Sequence, residues 1–138
     1  MFRICEAFGV KQILFFNGNI DINSSRLQRT SRDTHKSVNY TICDDIISTL
    51  NTFSKKGYDI VALEISELSI PSGKITLNKK GVVLIIGNEK FGVSEEVLAL
   101  TKKHMHIEMY GKNSSMNVVQ ATAIGLYTVV NKLKLFIE

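Results

Sequence analysis

Two stretches of this sequence set glycine beside polar side chains able to hold a ligand or manage a proton. The first, Gly87-Asn88-Glu89-Lys90-Phe91-Gly92-Val93-Ser94, follows the apolar run Gly81–Ile86. The second, Tyr110-Gly111-Lys112-Asn113-Ser114-Ser115-Met116-Asn117, follows His106–Met109. Both preceding runs read as strands, and in an open α/β sheet ligands bind at the carboxyl ends of strands, where loops present backbone N–H and C=O groups. Glycine lets a backbone approach a ligand closely and adopt conformations closed to other residues. Glu89 has a glycine to either side in such a loop, a poor place for a carboxylate that serves solubility alone. Neither loop is a Walker loop or a dinucleotide fingerprint, so by pattern alone the plainer reading is a turn with an incidental helix cap. Arg26, Arg29 and Arg32 recur at every third position of the polar stretch Ser24–Lys36, which lines them along one side of a helix. That side is either solvated or turned toward phosphates, and as the densest basic stretch it is the expected phosphate contact if the partner is a nucleic acid. His104 and His106 stand at a strand start with no other histidine or cysteine cluster nearby, so no metal is expected.

The elements that must position these residues alternate between strand-like and helix-like, the pattern of a sheet covered by helices. Residues 2–8 read as a helix closed by Gly9, and Gln12–Phe16 as a first strand broken by Asn17-Gly18-Asn19. A helix is expected from Asp44 or Asp45 to Ser54, burying Ile46, Ile47, Leu50 and Phe53 and ending at Gly57. Asp59–Glu64 is a second strand. Gly81–Ile86 is a third, whose unbroken Val-Val-Leu-Ile-Ile suits burial on both faces. The segment between them, with Pro71 and Gly73, reads as loop. Glu95–Lys102 is a helix with Ser94 as N-cap, His106–Met109 a fourth strand, and Val118–Phe136 the last and longest helix, with Asn117 placed to cap it.

Composition narrows the class. At 138 residues the chain suits one domain that needs no disulfide or metal staple, and no repeat or linker divides it, so 1–138 is read as a single domain. With 44% hydrophobic and 22% charged residues it is far from a disordered chain. A net charge of +4 and a pI near 9.1 favour an anionic partner without naming one. Cys5 and Cys43 have neither metal-ligand spacing nor a disulfide framework and read as buried thiols in a reducing compartment. No apolar run approaches the roughly 20 residues that span a bilayer, and no signal-peptide pattern is present, so a cytoplasmic protein is expected.

The string IIGNEKFGVSEEVL, followed by IEMYGKNSSMNVVQATAIGLY, resembles the second and third signature motifs of the SpoU/TrmH branch of the SPOUT RNA methyltransferases. The opening FRICEAFGV resembles the later part of that family's first motif. The resemblance covers nearly the whole chain. It implies a doubly wound, mostly parallel sheet with a C-terminal trefoil knot, and transfer of a methyl group from S-adenosylmethionine to a ribose 2′-hydroxyl of structured RNA, transfer RNA slightly ahead of ribosomal RNA. It also implies a homodimer, since the family builds each RNA site across two subunits. Carried over by position, Arg3 matches the first-motif arginine, Glu89 the second-motif glutamate, and Ser115 and Asn117 the third-motif serine and asparagine. The loop backbone that holds the bent methyl donor maps to Leu63, Gly87, Ile107, Met109 and Met116. The arginine is proposed as a base in the family. A guanidinium with a pKa above about 12 is a poor one, so the role expected of Arg3 is to position the adjacent phosphate and stabilise the emerging alkoxide. Glu89 would orient Asn117, Arg3 or the adenosine end.

The sequence departs from the family in places. The first motif usually opens with an asparagine several residues ahead of its arginine, and Arg3 stands third here, so the domain reads as N-terminally short. Glu108 stands where proline is common, and Val119 and Gln120 replace a frequent serine and small residue. If Glu108 is buried, it requires a partner. The short first motif keeps a second reading open, a module that binds the donor or RNA without turnover. A third, an unrelated nucleotide-binding α/β enzyme, lacks a phosphate-cradling glycine motif.

Overall fold

A computed structural model describes residues 1–17, 21, 23–78 and 80–134. The chain forms two compact units, Met1–Ile46 and Ile47–Glu138.

In the first unit, α1 (Phe2–Ala7) stops where Gly9 takes φ +67°, with Phe8 N–H donating to Ile4 O and Gly9 N–H to Glu6 O. β1 (Gln12–Phe16) follows as expected, and Asn17 leaves it with φ 53°. Gly18 and Asn19 of the expected turn lie outside the described residues. β1 pairs in parallel with β2 (Asn39–Cys43), Ile13 opposite Tyr40 and Phe16 opposite Cys43. A parallel pair needs a crossover, here α2 (Ser25–Ser31) and a 3₁₀ turn, Thr34–Lys36. The unit closes around Phe2, which is 3% exposed and meets the rings of Phe15, Tyr40 and His35 at 5.9, 6.0 and 6.3 Å. Cys5 and Cys43 are buried thiols, and burial pushes the Cys5 thiol up more strongly than the N-terminal charge pulls it down.

Two expectations change in this unit. β2 was not among the anticipated strands: only Cys43 of its five residues is buried, so no alternation marks it. The expected row of three arginines also breaks. Arg26 and Arg29 ride on α2, but Arg32 is its C-cap, with φ 48° and ψ 47°. The Thr34 hydroxyl donates to the Ser31 carbonyl at 2.6 Å, and buried His35 Nδ1 holds the Ser31 hydroxyl at 2.7 Å, so the chain turns off the helix axis there.

α3 (Ile46–Lys55) buries Leu50, half-buries Ile46, Ile47 and Phe53, and ends at Gly57 with φ +86°. The second unit carries an all-parallel sheet in the order β4-β6-β3-β5, with β3 Asp59–Leu63, β4 Ile70–Pro71, β5 Val82–Ile86 and β6 Lys103–His106. α4 (Glu95–Leu100) precedes β6 and α5 (Val118–Lys134) follows it. Val61, Met105, Ile75, Leu77 and Val129 form the core. A Cβ on Gly125 would stand 2.9 Å from Leu63 Cδ2, so α5 packs closely on the sheet and a larger residue there would displace the Leu63 side chain. The fold is α/β with parallel sheets, as expected.

Three details differ. β4 forms inside the expected loop, two residues including Pro71, whose missing N–H is tolerable at an edge. β5 is half-buried along its length rather than buried on both faces, because it too is an edge strand. β6 starts three residues earlier than expected and ends at His106: the buried His104 and Met105 belong to the sheet, while Ile107–Met109 have left it. The expected final turn of α5 at Leu135 and Phe136 lies outside the described residues. Among the described residues no helix is long and apolar enough to cross a membrane, and no cluster of histidine, cysteine and carboxylates could hold a metal.

Candidate functional site

β5 and β6 flank β3 and run parallel to it, so the loops after all three leave the same end of the sheet. At a strand spacing of about 4.8 Å the exits of β5 and β6 are roughly 10 Å apart, within reach of one small ligand.

The loop after β5 is tied from within and from below. Asn88 and Gly92 exchange backbone hydrogen bonds of 3.1 and 2.8 Å, and Asn88 Oδ1 accepts from the N–H groups of Lys90 (2.8 Å) and Phe91 (3.2 Å). Glu64, just past β3, accepts from Val93 N–H on Oε2 at 2.9 Å and from Ile65 N–H on Oε1 at 3.0 Å. Gly92 has φ +69°, and a Cβ there would stand 2.5 Å from Glu64 Oε2, so conformation and contact both demand glycine. A Cβ on Gly87 would meet the Gly92 backbone. The glycine spacing therefore folds the loop on itself. Ser94 then caps α4, its Oγ accepting from Val97 N–H at 3.4 Å.

The loop after β6 is open. Residues 108–113, Ser115 and Met116 line a depression of about 530 Å³, within the roughly 300–1,000 Å³ of small-molecule sites. Met109 and Met116 are half-buried and Ser115 is exposed at its edge. A Cβ on Gly111 would meet nothing within 4 Å. At the loop's end Asn117 Oδ1 accepts from Val119 N–H at 2.9 Å and Gln120 N–H at 3.4 Å, capping α5.

The connection from β3 to β4 is fastened to β6, which sits between them. Glu64 N–H donates to Met105 O at 3.0 Å, while the Ser66 and Ser69 hydroxyls meet His104 Nδ1 at 2.7 Å and His106 Nδ1 at 2.9 Å. His104 Nε2 faces the carbonyls of Leu98 and Thr101 at 3.0 and 2.8 Å. Carbonyls only accept, so Nε2 carries a proton, and in the neutral ring Nδ1 accepts from the Ser66 hydroxyl. Residues 1–127 match the SpoU rRNA Methylase family.

The chain belongs to this family. It is 34% identical over 128 residues to a tRNA (guanosine(18)-2'-O)-methyltransferase of Aquifex aeolicus, a match covering 91% of the chain and 58% of that protein. The tRNA (guanosine(18)-2'-O)-methyltransferase of Thermus thermophilus is 30% identical over 91% of the chain and 63% of its own length. The chain thus spans about three fifths of these relatives. In structure it matches the A. aeolicus TrmH/SpoU tRNA modifying enzyme with a TM-score of 0.83 and 29% identity, covering 98% of this chain and 68% of the other. An AdoMet-bound rRNA methyltransferase from Sinorhizobium meliloti shares the fold, with a TM-score of 0.86 at 23% identity over 96% of this chain and 50% of that one.

Within this SpoU-family chain the anticipated residues fall into separate places. Met109, Ser115 and Met116 share the depression, with Asn117 immediately after it. Leu63 ends β3, Ile107 leaves β6, and Gly87 packs on Gly92 in the stapled loop, whose exposed members include Glu89. Arg3 is exposed on α1, Arg26 and Arg29 are exposed on α2, and Arg32 is exposed beyond it. Glu108 is exposed and requires no buried partner. The sequence reading did not anticipate Glu64 as the residue that ties the loop after β5. It looks like a strand end in the sequence, and the signal that could have found it is a carboxylate leaving a central strand opposite a glycine-bearing loop.

Proposed function

We propose that this chain transfers the methyl group of S-adenosylmethionine to a ribose 2′-hydroxyl of a structured RNA, with transfer RNA ahead of ribosomal RNA. It acts as a cytoplasmic homodimer whose domain is residues 1–138. The observation that carries this reading is the depression lined by Met109, Ser115 and Met116 at the carboxyl end of the parallel sheet, beside the Asn117 cap of α5. Family membership supports the reaction, and the activities of the A. aeolicus and T. thermophilus relatives support transfer RNA. The depression's size and its two half-buried thioether side chains fit a methyl donor of nucleoside size.

Bound S-adenosylmethionine supplies a methyl carbon already activated by its sulfonium. The chain's task is to hold a ribose oxygen in line with that carbon, a positioning effect worth several kcal/mol. Leu63, Gly87, Ile107, Met109 and Met116 present the backbone that grips the donor. Asn117 commits its Oδ1 to the cap, which leaves its Nδ2 hydrogens for the substrate. Ser115 offers an exposed hydroxyl beside it, and Glu89 an exposed carboxylate that orients the adenosine end. Arg3 holds the phosphate next to the reacting ribose and stabilises the alkoxide as its proton passes to solvent water. Arg26, Arg29 and Arg32 contact RNA phosphates, the first two from a common helix. The insertion of β6 between β3 and β4, under a connection bonded to it through Ser66 and Ser69, supports the threading of a trefoil knot.

The test incubates the protein with methyl-labelled S-adenosylmethionine and an unmodified transfer RNA transcript. Label at a ribose that then resists alkaline cleavage is expected. Absence of RNA label with protein in excess would overturn the reading. Sedimentation should give twice the 15.4 kDa chain mass.

A further inference from the structure

The two loops at the carboxyl end of the sheet also display aromatic side chains to which the proposed reaction assigns no role, one of them, Tyr110, in the lining of the depression. Phe91 is 80% exposed and Tyr110 is 90% exposed. Each has a lysine close in sequence: Lys90 Nζ lies 5.3 Å from the centroid of the Phe91 ring, and Lys112 follows Tyr110 by two residues. The Phe91 ring sits at the tip of the stapled turn, where Asn88 Oδ1 takes the backbone N–H of Phe91 itself. Holding a large apolar ring in water on a fixed turn contributes nothing to the fold.

We propose that Phe91 and Tyr110 form a stacking rim for unpaired nucleotides of the RNA substrate, with Lys90 and Lys112 neutralising the phosphates beside them. Aromatic rings bind bases that are already unstacked, and every base has a face to offer, so such a rim selects single-stranded loops over duplex whatever their sequence. With Lys90 to one side of the Phe91 ring, a base on the open face and its phosphate at the ammonium satisfy both groups at once. The loops holding the two rings follow β5 and β6 and leave the same end of the sheet, as a flipped-out loop entering the methyl-transfer site would require. The arginines on α2 present charge without a ring and read phosphates only. This inference rests on the RNA reading given above and specifies the part of the RNA that the site takes.

The test measures binding of the full chain to an unmodified transfer RNA transcript and to a blunt RNA duplex. F91A and Y110A are each expected to weaken transcript binding about tenfold while duplex binding holds, and F91W is expected to keep wild-type affinity. K90Q should lower the slope of log affinity against log salt by about 0.7. F91A should bind S-adenosylmethionine as the wild type does in calorimetry. The proposal is overturned if both alanine variants bind the transcript normally, or lose duplex binding equally. It also fails if F91A halves the sedimentation mass, since the ring then belongs to a contact between copies. A wild-type protein that binds RNA through the rings yet transfers no methyl group sinks the enzymatic reading alone. Methyl transfer with ring-independent binding sinks only the rim.

Discussion

In the loop after β5, the polar groups of Asn88, Gly92, Val93 and Ser94 are engaged with one another, with Glu64 or with the start of α4. In the loop after β6, residues 108–116 make no hydrogen bonds among the described residues until Asn117 caps α5. Both loops carry glycine followed by a helix cap, yet the glycines serve different ends. Gly87 and Gly92 let the first loop close on itself, whereas Gly111 borders open space. The first loop is preorganised and can hold Glu89 and Phe91 in place before a ligand arrives. The second keeps its polar groups available, and a ligand that pairs them must also offset the entropy lost in ordering the segment.

That contrast can be broken at several points. The largest effect is expected at Asn117, whose side chain caps α5 immediately after the depression and which the proposed reaction uses. Asn117→Ala should cut methyl transfer about a hundredfold or more, on the scale of losing one preorganised donor. It should also cost about 1 kcal/mol in urea unfolding. Asn117→Asp retains an oxygen for the cap, so it should fold like the wild type and still transfer poorly; full activity would show that Nδ2 does nothing. Next comes Gly92→Ala, which meets a left-handed backbone and the Glu64 carboxylate together, and should destabilise the chain by about 2 kcal/mol. Glu64→Ala strands the N–H of buried Val93, while the N–H of exposed Ile65 turns to water, at a cost of about 1 kcal/mol. The two changes should be subadditive by about 0.5 kcal/mol or more, because removing the carboxylate clears space for the alanine methyl. Additive losses in a double-mutant cycle would mean that the clamp is not one unit. The smallest effect is a dynamic one: adding S-adenosylmethionine should slow amide exchange in residues 108–116 and leave 88–93 nearly unchanged. Equal slowing in both loops would erase the distinction.

Much of this was legible before any coordinates. Gln12–Phe16 is a strand with the boundaries read from its apolar run, and the caps at Ser94 and Asn117 form as their spacing predicts. β2 was invisible because its side chains are mostly exposed and its pairing partner is β1, far back in the chain. β6 was displaced by three residues because Ile107 and Met109 are as apolar as a strand requires, while the buried His104 looks polar until Ser66 and two carbonyls satisfy it. Arg32 left the helix through hydrogen bonds of Ser31, Thr34 and His35 that no three-residue spacing encodes. Among the candidate site residues, Glu89, Ser115 and Asn117 stand in recognisable motifs. Glu64 belongs to none.

The order of residues alone determined the alternation of strands and helices, the two glycine-bearing loops and the caps that follow them. Each of these depends on partners within a few positions, where periodicity and cap chemistry are written directly into the chain. Only the tertiary structure decided that β6 lies between β3 and β4, that β5 forms an edge, and that a carboxylate reaches an amide 29 residues away. Hydrogen bonds between distant segments leave no local pattern, so they exist for a reader only once the segments have met.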